Sequence, residues 1–211
     1  MTHTLHRIGT KESLADDYCL LITPCRNKNV EGSLEKLLIM LDDIAEVGPA
    51  NIGSYEVSNI FDGYTIKDIH DNLHKATIPR IRCSFSSKDK IYEMLRRIKT
   101  HDFGISITVT GLADDIIAEC KKMGIVPHSV NFGCGIKGKV DKLPHEEYLV
   151  IITQCGHGMI SRKLVESEIE LVKNGKDPRE AAKDIARPCT CGVANVDRIE
   201  KILREKYSKK L

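Results

Sequence analysis

The sequence predicts an α/β fold: a mostly parallel or mixed sheet with flanking helices, and a helical C-terminal segment carrying a cysteine cluster. Two observations lead there. Short apolar runs of strand length alternate with longer stretches patterned at helical spacing, as β-α-β units require. Towards the C-terminus the strand signals stop and helix start signals recur.

In chain order, residues 17–23 (DYCLLIT) form an apolar run stopped by Pro24, the pattern of a buried strand. From Ser33 onward, Leu34, Leu37, Leu38, Leu41 and Ile44 fall three and four apart, a helix with Ser33 at its N-cap and Gly48-Pro49 as its stop. The stretch 51–78 is the least regular: a strand at 55–61, a turn at Asp62-Gly63, and a short helix presenting Ile66, Ile69 and Leu73. Beyond it come a strand at 80–85, a helix at 87–100 with Ile91, Leu95 and Ile98 on one face, a strand at 105–110, a helix at 112–123 and a strand near 129–132.

The run YLVIIT at 148–153 reads as one more strand. Helices follow. Ser161 caps the first, and Asp177-Pro178-Arg179-Glu180 supplies an N-cap, a proline at the first helical position and a glutamate at the third. The last starts after Asn195, with Ile199, Ile202 and Leu203 inward. Without repeats or low-complexity linkers, 1–211 reads as a single α/β domain, the one candidate subdivision being an N-terminal β/α portion at 1–78 and a βαβαβ portion with C-terminal helices at 79–211.

A chain of 211 residues can bury a core without disulfides or metals as staples, so its eight cysteines are not needed merely for stability. Thirty-two Lys and Arg against thirty Asp and Glu give a net charge of +2, too balanced for a nucleic-acid binder that relies on counterion release. No apolar run reaches the roughly 18 to 20 residues of a membrane span. The opening MTHTLHRIGTKES lacks the apolar core of a secretory signal. The expectation is a cytoplasmic protein of an anaerobic or strongly reducing cell, with no nucleic-acid or membrane partner, in which cysteines serve as thiols, metal ligands or redox groups.

Context separates these cysteines. Cys19 falls in a strand and Cys120 in a helix, as small buried apolar residues do. Cys25, Cys134, Cys155, Cys189 and Cys191 fall in Gly-, Pro- or polar-rich loops, and Cys83 near a strand end. The strongest local signal is RPCTCG at 187–192, where Pro188 ends a helix, two thiols stand one residue apart and Gly192 permits close backbone approach. Cys155, in QCGHGM, adds a third sulfur thirty-four positions upstream (189 minus 155).

Three thiolates with an open position suit an iron–sulfur cluster of the 4Fe-4S type, and His157 would complete a Cys3His zinc site instead. The expectation is an iron–sulfur enzyme, a lyase or sulfurtransferase acting on a small-molecule or sulfur-donor substrate, or a step in cofactor assembly. Cys155, Cys189 and Cys191 are its ligands, with Cys25, Cys134 and His157 as catalytic candidates, and Cys25, Cys83 and Cys134 as candidates for a fourth ligand, a sulfur-carrying thiol or a substrate contact. The alternatives are a non-catalytic zinc or iron–sulfur module and a metal-free thiol redox protein. Cys155 could also serve as a nucleophile, since its loop leads into a helix N-terminus. Three other features have plainer explanations. The loop 133–139 (GCGIKGK) lacks phosphate-loop spacing, His70 and His74 lack the intervening glutamate of a zincin, and Asp16-Asp17 and Glu146-Glu147 read as helix-start or solvent charges.

Overall fold

A computed structural model describes residues 7–133 and 135–208. The short helix α1 (Lys11–Leu14) leads into β1 (Tyr18–Thr23). Then follow α2 (Ser33–Val47), the hairpin β2 (Asn51–Ser54) and β3 (Ser58–Asn59), α3 (Ile66–Asn72), β4 (Ile81–Phe85), α4 (Lys88–His101), β5 (Ser106–Thr110) and α5 (Ala113–Lys122). Four helices complete the described chain: α6 (Glu146–Ile152), α7 (Arg162–Lys173), α8 (Pro178–Ala186) and α9 (Val196–Tyr207). Among the described residues, no helix is long and apolar enough to cross a membrane.

The class is α/β, but the sheet is antiparallel throughout, in the order β3-β2-β4-β1-β5. This corrects the parallel or mixed sheet that the alternation of strands and helices suggests. The two crossovers, β1-α2-β2 and β4-α4-β5, do join strands of like direction. Each skips one place in the sheet, and a strand of the other unit, running the opposite way, fills that place. The result is a pair of interlocked split β-α-β units, the connectivity of ferredoxin-like domains.

Strand alternation gives the sheet two different faces. One carries Tyr18, Leu20, Ile22, Ile52, Ile81, Cys83 and Phe85, all buried against Leu37, Met40 and Leu41 of α2 and Ile91 and Met94 of α4. The other carries Cys19 and Leu21 with their cross-strand neighbours Ser84, Arg82, Asn51 and Gly53. Over this second face lies the C-terminal layer, whose core is Val150, Val165, Ile169, Ile185, Ile199 and Leu203.

Three of the caps act where the sequence places them; Ser33 does not, because Gly32 takes the N-cap position of α2, Ser33 is the first helical residue, and its hydroxyl donates to the Val30 carbonyl (2.7 Å). Ser161 accepts from Leu164 N–H, Asp177 from Arg179 and Glu180 N–H, and Asn195 from Arg198 N–H. The run at 148–153 is a correction, since it lies within or just after α6. Its helical start carries Glu146 and Glu147 in the first turn, and Val150 and Ile151 are its buried side. A short apolar run does not distinguish strand from buried helix by periodicity. Residues 129–132 form no strand either; Val130 and Phe132 are exposed and no strand pairs with them. In the irregular stretch, the strands are β2 and β3, and Tyr55 falls in the turn between them.

Candidate functional site

Cys155 follows α6, in a turn closed by the Gly158 N–H donating to its carbonyl (3.0 Å). Gly158 holds a left-handed φ of 71°, which glycine adopts without side-chain strain. The same turn aims the backbone N–H groups of His157, Met159 and Ile160 at the Cys155 sulfur. Cys189 and Cys191 lie in the loop after α8, where Cys189 N–H donates to Ala186 O (2.9 Å) and Gly192 N–H to Cys189 O (2.8 Å).

The loop rests directly on the second face of the sheet, over β2. Gly53 of β2 and Gly192 meet backbone to backbone: a Cβ on Gly53 would lie 2.8 Å from Gly192 N, and one on Gly192 2.7 Å from Ile52 Cα. Side chains from the sheet tie the loop down. Asn59 donates to the carbonyls of Arg187 (2.8 Å) and Cys189 (3.2 Å), Asn51 to that of Ala194 (3.1 Å), and the Cys19 thiol to that of Val193 (3.7 Å). Gln154, beside Cys155, accepts from Asn195 N–H (3.0 Å), linking the two thiol-bearing segments.

The three thiols meet. Cys189 Sγ is 3.9 Å from Cys191 Sγ and also hydrogen bonds Cys155, so it is the middle member of the trio. All three are buried, whereas His157 and Met159 beside them are exposed. His157 Nδ1 stands 3.8 Å from Cys191 Sγ, and its Nε2 lies 2.6 Å from the Tyr55 hydroxyl.

The protons are unequally placed. Hydrogen bonding from Cys189, aided by the turn's N–H groups, outweighs burial and brings the Cys155 thiol down to about 5. Cys191 falls to about 6 by its own bond from Cys189, with the Val193 N–H also contributing. Cys189, donating to both, is raised well above the ordinary thiol value. Cys189 is thus the donor of the trio, and its hydrogen bonds favour the anionic form of both neighbours. Among the described residues, no three or more His, Cys, Asp or Glu side chains are set to hold one metal ion as they stand.

Other predicted residues lie apart. Cys25 is exposed, with its thiol on the Arg26 carbonyl (3.8 Å), and no contact joins it to the trio. Cys83 belongs to the opposite face of the sheet, and burial raises its thiol. Cys134 lies outside the described residues. Cys19 sits beneath the site as a neutral thiol pushed up to about 12 by burial. None of the seven described cysteines is in a disulfide.

The sequence reading overlooked Tyr55, Arg82, Asn51 and Asn59, which lie more than 90 positions from the cysteine pair (189 minus 82 is 107) and have no motif of their own. It also read Asp17 as a solvent or helix-start charge. Asp17 is buried and takes Arg7 Nη1 at 2.7 Å and Arg198 Nη1 at 2.6 Å. Arg7 reaches onward to the carbonyls of Gln154 (3.2 Å) and Val193, next to the thiol loops. Comparisons with protein-family models, with curated proteins and with solved structures return no match, so the chemistry of this site follows from its own geometry.

Proposed function

We propose that Cys155, Cys189 and Cys191 form a thiolate metal centre, with His157 as the fourth donor on its solvent side. Donor spacing carries this reading. Around a tetrahedral zinc ion, bonds of about 2.3 Å to sulfur and 2.0 Å to nitrogen put sulfurs roughly 3.8 Å apart and sulfur and nitrogen about 3.5 Å apart. The observed separations are 3.9 Å for Cys189–Cys191 and 3.8 Å for Cys191–His157. Binding requires the Cys189 proton to leave, so affinity rises with pH.

Two features support the reading. N–H donors on the Cys155 and Cys191 sulfurs stabilise anionic thiolates, the form that binds metal. A metal-bound histidine characteristically donates its second ring N–H to a fixed acceptor, and the Tyr55 hydroxyl occupies that place at 2.6 Å from Nε2. A freely reacting thiol catalyst fits less well, since Cys155, Cys189 and Cys191 are 3%, 0% and 1% exposed.

The second reading is an iron–sulfur enzyme in which the same cysteines hold a 4Fe-4S cluster with one iron open to a small-molecule or sulfur-donor substrate. The exposure of His157 and Met159 favours it, because an exchangeable position there would face solvent. Anaerobic purification followed by metal and acid-labile sulfide analysis separates the readings. Zinc without sulfide supports the Cys3His centre, and iron with matching sulfide the cluster. Protein that folds fully and takes up neither, even after reconstitution, would leave a metal-free thiol group and end both.

A further inference from the structure

Arg82 is the unusual charge next to this site. It projects from β4, the central strand of the sheet, between Leu21 of β1 and Gly53 of β2, on the sheet face that the thiol loops cover. The residue is only 5% exposed, yet Nε and Nη1 are buried without any hydrogen-bond partner, and among the described residues no carboxylate pairs with it. The other buried arginines on this side contrast with it, since Arg7 and Arg198 both grip Asp17. Glu56, on the β2–β3 turn, makes no ion pair with Arg82, and its own Oε2 is buried without a partner. Nearby on the same face, Ser84 Oγ and Asn51 Oδ1 are likewise unsatisfied.

Buried polar groups are normally satisfied, and a cluster of exceptions calls for a missing partner. A guanidinium presents five donors in a flat fork that matches carboxylate and phosphate oxygens. Its central carbon lies over the Tyr55 ring, 4.5 Å from the centroid, a cation–π contact. Tyr55 is 46% exposed and sits on the turn where Val57 N–H donates to Ser54 O (3.4 Å). It covers Arg82 from solvent while its hydroxyl reaches His157, at the edge of the thiol trio.

We propose that Arg82 anchors the oxyanion of a small ligand, a carboxylate or a phosphate, which enters as the Tyr55 turn swings aside and lies between Arg82 and the His157 edge of the thiol cluster. That this ligand is a substrate rests on the metal-centre reading; the anion site itself does not. The Tyr55 hydroxyl then turns from His157 to the anion or follows it, making binding sensitive to that one oxygen.

The test uses the full-length protein, with inorganic phosphate and acetate as probes, titrated calorimetrically at constant ionic strength against chloride. Metal content is measured on the same preparations. Saturable binding of one probe is expected, weakened at least tenfold in Arg82→Gln. Arg82→Lys should be intermediate, because it keeps charge but loses the fork, and Tyr55→Phe should bind severalfold more weakly. Whichever probe binds more tightly identifies a phosphate or a carboxylate ligand. Should Arg82→Gln fail to fold, Arg82→Lys and Tyr55→Phe carry the test. No binding beyond chloride by the wild-type protein, or equal binding by the folded variants, would overturn the proposal and leave Arg82 a structural stack under Tyr55. Protein that takes up no metal even after reconstitution yet binds phosphate or acetate through Arg82 would sink the metal centre and keep the anion site, and metal retained without anion binding would do the reverse.

Discussion

The seating of the cysteine loop on β2 leads to a prediction that can be worked from distances. In Gly192→Ala the new Cβ would lie 2.7 Å from Ile52 Cα and closer still to Ile52 C and Gly53 N, all backbone atoms that cannot rotate away. Loop and strand must separate, and overpacking of this kind costs about 1–3 kcal/mol. The left-handed φ of 68° adds roughly 1–2 kcal/mol for any residue with a Cβ. The total, about 2–5 kcal/mol, is a large part of a domain's usual 5–15 kcal/mol. Gly158→Ala is the control. Its φ is 71°, but nothing lies within 4 Å of a Cβ there, so it carries only the backbone cost. With a urea m-value of about 2–3 kcal/mol/M for a chain of this size, Gly192→Ala should lower the midpoint by about 1 M or more, clearly beyond Gly158→Ala. The separated loop should also expose Cys189 and Cys191, seen as faster labelling by a thiol reagent under native conditions. Equal midpoints and equal labelling rates in the two variants would show that the glycine contact does not position the thiol loop.

The double variant Cys189→Ser, Cys191→Ser replaces soft thiolates with hydroxyls that bind zinc or iron weakly, so metal content should collapse while Cys25→Ala retains it; elemental analysis of both decides whether Cys25 is a ligand. Asp17→Asn leaves Arg7 and Arg198 facing each other without a countercharge in a buried site, and should cost about 3–5 kcal/mol in denaturant unfolding. Burial moves Cys19 from 9.0 up to about 12, so its contribution to stability is complete below pH 9 and is lost as pH rises towards 12. Cys19→Ala should therefore flatten the alkaline limb of a stability-against-pH curve, and an unchanged limb would show that another group controls it.

Much of this molecule is written locally. The helices after residue 160 begin where Ser161, Asp177 and Asn195 offer side-chain oxygens to free backbone N–H groups, and the periodic leucines of α2 face the core as their spacing requires. The place of the candidate site was legible as well, because RPCTCG and QCGHGM combine thiols with residues that end helices and let backbones approach. These signals depend only on neighbours within a few positions, which is why one sequence suffices to find them. The run YLVIIT was ambiguous for the complementary reason: its identity as helix depends on what buries Val150 and Ile151, and that lies elsewhere in the chain.

What tertiary structure alone decided is set by contacts across long separations. Strand direction follows from how two crossovers interlock, so alternation of strands and helices could not tell a parallel sheet from the antiparallel one that formed. The sequence by itself determined that Cys155, Cys189 and Cys191 were the residues to watch. Only the folded chain put Cys191 against His157 and His157 against Tyr55, left Arg82 Nε and Nη1 beneath Tyr55 without hydrogen-bond partners, and kept Cys25 and Cys83 away. The physical reason is that a thiol's reactivity and a charge's need for a partner are properties of surroundings. Here those surroundings come from β2, β4 and the loop after α8, segments that meet because the exposed face of a split β-α-β sheet must be covered by something, and the C-terminal helices cover it.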